Sequence, residues 1–203
     1  MRRLQILFMI FGIILMQCAK KAIIRKYYLI EIPADAQIIQ ADSTYYPYRV
    51  DVRDFQISKA IDQTHIALLS DTQELSYYFY HNWAVRPSTG IPDMIYHVLS
   101  KKSIFTSLVR GFSSHPDYQI TGDVYHLERD EIGQIRARIA ADIKLIDMQT
   151  GDTKAFHSFD RTDAFQNPKS MNAFAVAVSQ ILYQEITVFT DSLASYFSNL
   201  EAK

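Results

Sequence analysis

Six histidines and a single thiol are the side chains of this sequence with the widest chemical range. His65, His81, His97, His115, His126 and His157 lie scattered, without the HExxH or paired-cysteine spacing that holds zinc, so no metal site is read. Ser100, Ser103 and Ser107 lack the tight glycine elbow that presents a hydrolase nucleophile. No glycine-rich loop opens a helix to cradle a phosphate. A Ser/His/Asp set would have to assemble from distant segments. Asp51 and Asp54 are near one another in sequence but read as surface charges on a strand. His81 and Trp83 fall on one face of an aromatic strand, the nearest approach to a binding patch, and read first as core. What remains is Cys18. As the only cysteine it cannot form an internal disulfide, so its surroundings decide its use.

Those surroundings are a leader. Arg2 and Arg3 precede an apolar run over residues 4–16, broken only by Gln5. The run is short for a membrane span, which needs about 20 apolar residues, and has signal-peptide dimensions. Leu15-Met16-Gln17-Cys18 at its end resembles the lipobox of bacterial lipoproteins, in which the cysteine is acylated and becomes the new N-terminus. Gln17 departs from the small residue usual there. The other reading is an ordinary signal peptide, or an uncleaved anchor, with a stray cysteine. Acylation would fasten the chain to a bilayer, since each buried methylene contributes about 0.8 kcal/mol and several chains hold durably. Lys20, Lys21, Arg25 and Lys26 follow, either lying against headgroups or forming a solvated linker. Ala19 after the cysteine resembles the sorting signal for the outer membrane.

The composition narrows the partners. A net charge of −1 over 203 residues, with no basic face beyond the tether, sets nucleic acid aside. Thirteen Tyr and twelve Phe against six Gly and six Pro indicate a packed globular body with one core.

Periodicity then predicts the elements. Residues 27–32 form a first β-rich run ending at Pro33, residues 34–48 a long connection, and residues 48–55 an alternating strand whose period slips at Phe55. A hairpin follows, 65–70 and 75–84, joined by Asp71-Thr72-Gln73-Glu74. Its return strand carries aromatics on both faces, which predicts cover on both, by a helix and by another subunit. Residues 86–90 read as a loop, with Pro92 in the first turn of an amphipathic helix over about 91–104. Residues 106–112 are a strand. Residues 118–127, with Gly122 as a bulge position, 135–145 and 154–162 then form an antiparallel meander. A long helix over 168–198 closes the chain, and its last turns either project toward a partner or dock on the domain's edge. The fold class is α+β: an antiparallel or mixed sheet of about six to seven strands with two helices packed on it.

The order of these features resembles the ABC-type transport auxiliary lipoproteins, the PqiC-like family. The matching pieces are Cys18, the opening Tyr27-Tyr28-Leu29, and the hairpin ending Tyr77-Tyr78-Phe79-Tyr80-His81-Asn82-Trp83-Ala84 with Pro87 and a helix behind it. Val85-Arg86 departs from the family, where an acidic residue often follows Trp-Ala. The resemblance implies a signal peptide over 1–17, a lipid-anchored tether over 18–26 and one auxiliary domain over 27–200. It also implies a non-enzymatic periplasmic role, without cofactor beyond the acyl chains. Its partners would be an MCE-domain substrate-binding protein and its ABC transporter, moving lipids or other hydrophobic molecules between the envelope membranes, with self-association an added expectation. Site expectations are Cys18 for lipidation and Tyr78, Tyr80 and Tyr196 for interface aromatics. The rival classes are a lipid-anchored structural or adhesive protein and a periplasmic hydrolase.

Overall fold

In the structure, a computed structural model that describes residues 24–37 and 46–202, every strand is arranged around β7, Tyr118–Asp130. The expected signal peptide, Cys18, most of the expected tether over 18–26 and part of the connection over 34–48 lie outside the described residues. Tyr118, Ile120, Gly122 and Val124 alternate inward along β7 until a bulge between Val124 and His126 shifts the period. One edge of β7 pairs antiparallel with β8, Arg136–Asp147, and β8 with β9, Thr153–Ala164, as the meander predicts. Gly133 and Gly151 supply the positive φ that the two turns require.

The other edge of β7 takes three parallel strands end to end. They are β2 (Tyr46–Val52), β3 (Gln56–Ile57) and β4 (His65–Asp71). Outside β2 lies β6, Phe105–Arg110, parallel to it. Outside β4 lies β5, Glu74–Trp83, antiparallel, and outside β5 lies β1, Lys26–Tyr28, parallel. The mixed sheet therefore has nine strands, more than the six to seven expected. The period slip at Phe55 is the boundary of the extra strand, β3. Gly122 marks a close approach and not the bulge: a Cβ there would stand 2.4 Å from the Phe55 ring and 2.3 Å from the Asp142 carbonyl. Pro47 sits inside β2 where its register to β6 shifts, so its missing N–H interrupts no regular ladder.

Both helices lie where the apolar stripes require, with shifted ends. The first, α1 (Pro87–Lys102), starts at Pro87, ahead of the expected position, and holds Pro92 inside. The Ser88 carbonyl that Pro92 cannot use accepts the Phe55 N–H at 3.0 Å, so the proline leaves no orphan acceptor. Ser103 ends the helix in the left-handed conformation. The second, α2 (Met171–Glu201), is capped by Ser170, whose Oγ accepts the Ala173 N–H at 3.2 Å. It is long and apolar enough to cross a membrane, but its apolar stripe is buried on β8 and β9. Its last turns dock and do not project: Leu193 and Phe197 are fully buried, with Phe197 among the rings of Tyr46, Tyr48, Phe105 and Tyr118.

Only Tyr27 and Tyr28 of the first β-rich run join the sheet, with Lys26 ahead of them. Beyond Tyr28 the chain leaves it and crosses both helices as an extended strap, with Ile30 and Ile32 inward and Leu29 and Glu31 outward. The Ala84 N–H donates to the Tyr28 carbonyl at 2.7 Å, the Glu31 N–H to Ser179 Oγ at 3.3 Å, and the Tyr183 hydroxyl to the Gln37 carbonyl at 3.2 Å.

Candidate functional site: an aromatic edge of the sheet

The side chains that could have supported catalysis are kept apart. His126 and His157 each meet one buried carboxylate, Glu128 and Glu185, at 2.8 Å, while His81 meets the Tyr28 hydroxyl at 2.8 Å. Among the described residues no group of three His, Cys, Asp or Glu side chains could hold a metal ion. Ser103 Oγ donates to the Ser100 carbonyl and closes a helix end. Asp51 corrects the expectation of a surface charge, since it is completely buried. It lies on β2, between β6 and β7, where neighbours cover it, and its carboxylate accepts the Ser113 N–H at 2.9 Å and Oγ–H at 2.6 Å. Asp54 instead pairs with Arg110, which also reaches Asp93 at 2.6 Å and thereby ties β6 to α1.

The buried charges are paired within the sheet and, at Glu185, from sheet to helix. Glu185, in the middle of α2, receives Arg161 at 2.7 Å as well as His157. Arg129 stands 2.7 Å from Glu131 and 5.7 Å over the Tyr78 ring. The Tyr78 hydroxyl donates to Glu131 at 2.8 Å. Burial first, and then that hydrogen bond, push the Tyr78 phenol up to about 12. Each ionised group thus meets an opposite charge or a donor, the arrangement that lets charge be buried without a large penalty.

The exposed chemistry lies at the β1–β5 edge. The register of β5 on β4 jumps between Tyr77 and Asn82, so residues 78–81 bow out of the ladder. Within the single chain this segment is therefore not covered on both faces, and cover by another subunit would have to come from outside it. Trp83, at the strand's end, is buried against Phe174 of α2, whereas Tyr77, Phe79 and Tyr80 are exposed. Phe79, 59 % exposed, meets Tyr80 edge-on at 4.9 Å and lies under the Arg25 guanidinium at 5.4 Å. Residues 24–27 are all exposed on the segment that carries β1, Tyr27 at 61 %, and Leu29 is exposed just beyond it. Two grooves flank the strap. One, of about 460 Å³, lies toward α2 and is lined by Tyr27, Leu29 and Val176; the other, of about 430 Å³, lies toward α1 and is lined by Leu29, Val85 and His97. This edge can bind an apolar surface bordered by negative charge. It offers no nucleophile.

Of the expected interface aromatics, the structure brings together none. Tyr78 is half-buried beneath Arg129, Tyr196 packs on Tyr118 and Phe197 at the far end of α2, and only Tyr80 belongs to the exposed edge. Sequence reasoning places Arg25 in the basic run and Tyr27, Leu29 and Phe79 on strands, but does not bring them to one edge. The available signal was the basic pair Arg25-Lys26 standing directly ahead of Tyr27.

Comparison with known proteins follows this geometry. No curated protein matches the chain. The crystal structure of a DUF330 protein from Xanthomonas campestris superposes with a TM-score of 0.71 at 18 % identity, covering 87 % of this chain and 99 % of that one. A second crystal structure, of an uncharacterised protein, gives 0.64 at 12 % identity, covering 84 % and 99 %. These likenesses establish the fold. The family model described as the ABC-type transport auxiliary lipoprotein component matches residues 27–187, from β1 well into α2, and the chain belongs to that family.

Proposed function

We propose that this chain is a non-enzymatic, lipid-anchored auxiliary component of an MCE-type ABC transport system that moves lipids or other hydrophobic molecules between the two envelope membranes. In this reading Cys18 carries the acyl chains, and the body faces the periplasm from the outer membrane, in contact with an MCE-domain substrate-binding protein. The observation that carries the proposal is the family match over 27–187 set directly behind a leader that ends in Cys18. The dispersal of the histidines and serines fits a role in contact and not in turnover.

The test is to solubilise envelopes gently, capture the full-length protein and identify what accompanies it. Recovery of an MCE-domain protein and its transporter is the expected result. Its reproducible absence, with the captured protein folded, removes the transport assignment. Mass spectrometry of the mature N-terminus tests the anchor separately, and a Cys18 free of acyl groups overturns that part.

A further inference from the structure

The β1–β5 edge and the tether meet at one place, and their meeting fixes what the edge faces. We propose that Ile24, Tyr27, Leu29, Phe79 and Tyr80, with Arg25 and Lys26 beside them, form the face that the body lays on the anionic bilayer holding Cys18. The assignment rests on the acylation proposed above and adds to it the orientation of the domain.

Three observations carry it. The first is reach: Arg25 follows Cys18 by seven residues, which span about 25 Å at full extension. A folded body of this size is about 40 Å across. A tether shorter than the body it holds keeps its point of entry, and the surface around that point, next to the membrane. The second is chemistry. Tyr27, Phe79 and Tyr80 are exposed aromatics and Ile24 and Leu29 exposed aliphatics, the combination that settles at the level of the headgroups. The third is charge. Arg25 and Lys26 border the patch, Arg25 directly over Phe79, and Lys20 and Lys21 precede them in the sequence. Cations next to apolar rings match anionic phospholipid, whose headgroups take the charge while its acyl boundary takes the rings.

The experiment places a reporter on this face and another far from it. The native Trp83 is buried and serves as a constant background. The acylated full chain carrying Phe79→Trp is reconstituted into phosphatidylethanolamine–phosphatidylglycerol vesicles with a doxyl-labelled lipid as quencher. Tyr27→Trp is the second reporter, on the β1 strand of the same edge. Phe156→Trp on β9 is the control, exposed and five strand spacings from β1 and four from β5, or about 24 Å and about 19 Å. Flotation of the vesicles reads the anchor independently. The expected result is flotation of all three, with quenching at Phe79→Trp and Tyr27→Trp roughly twofold or more above that at Phe156→Trp. Flotation with equal quenching at all positions overturns the orientation while leaving the anchor in place, and assigns the edge to a protein partner. Failure to float overturns the anchor and the orientation with it.

Discussion

Gly122 has no room for a methyl group, because the Phe55 ring and the Asp142 carbonyl both fill the space. The carbonyl belongs to the β7–β8 ladder and cannot retreat, so Gly122→Ala is expected to cost about 2–3 kcal/mol, read as a lower denaturation midpoint at unchanged slope. His81 acts through pH. Burial first, then the charges of Lys26 and Arg129, hold it below its ordinary 6.5. The unfolded chain therefore takes up a proton before the folded one does. The stabilisation is complete above about 6.5 and is lost as the pH falls through that value toward the lower folded one. His81→Phe is expected to narrow the difference in unfolding midpoint between about pH 7.5 and about pH 5.5, and an unchanged difference would refute the assignment. Little at this scale was legible in sequence. The alternation around Asp51 is that of a half-wet strand, and only the neighbours on both sides of β2, together with Ser113, show why the carboxylate is enclosed.

The helices were legible as elements, and their ends were not. Apolar spacing marked the stripes of α1 and α2, but it is silent on where a cap falls, and Pro92 looked like a start because the distant Phe55 N–H that serves the freed Ser88 carbonyl cannot be read locally. Ser170→Ala removes the one side-chain cap of α2 and is expected to cost about 1 kcal/mol in chemical denaturation. Phe197→Ala tests the docked last turns more sharply. It empties a site enclosed by four aromatic rings, and a loss of about 3–5 kcal/mol is expected, whereas a projecting helix end would lose almost nothing. Among the strands, the meander was legible because its turns are local and glycine-marked. The bowed segment of β5 was not, since its bulge is set by pairing with β4.

Across the whole molecule β7 pairs with four strands, β2, β3, β4 and β8, and the core is one cluster that includes both helices. Unfolding is therefore expected as a single transition, with backbone and aromatic circular dichroism coinciding; separated curves would show that the two wings of the sheet melt independently. The parallel pairings that create these wings join segments far apart in sequence, and no local period announces them. The aromatic edge escaped notice for the same reason: β1 finds its neighbour on β5 more than fifty residues later. The strap extends this to the full length of the chain. Its contacts on α2, Glu31 with Ser179 and Gln37 with Tyr183, bridge 148 and 146 positions. A chain delivered N-terminus first thus exposes this segment earliest and seats it last, after the final helix has arrived. Until then the segment from β1 to Gln37 has no seat, and arrival of the final helix is the event that closes the domain over its own beginning.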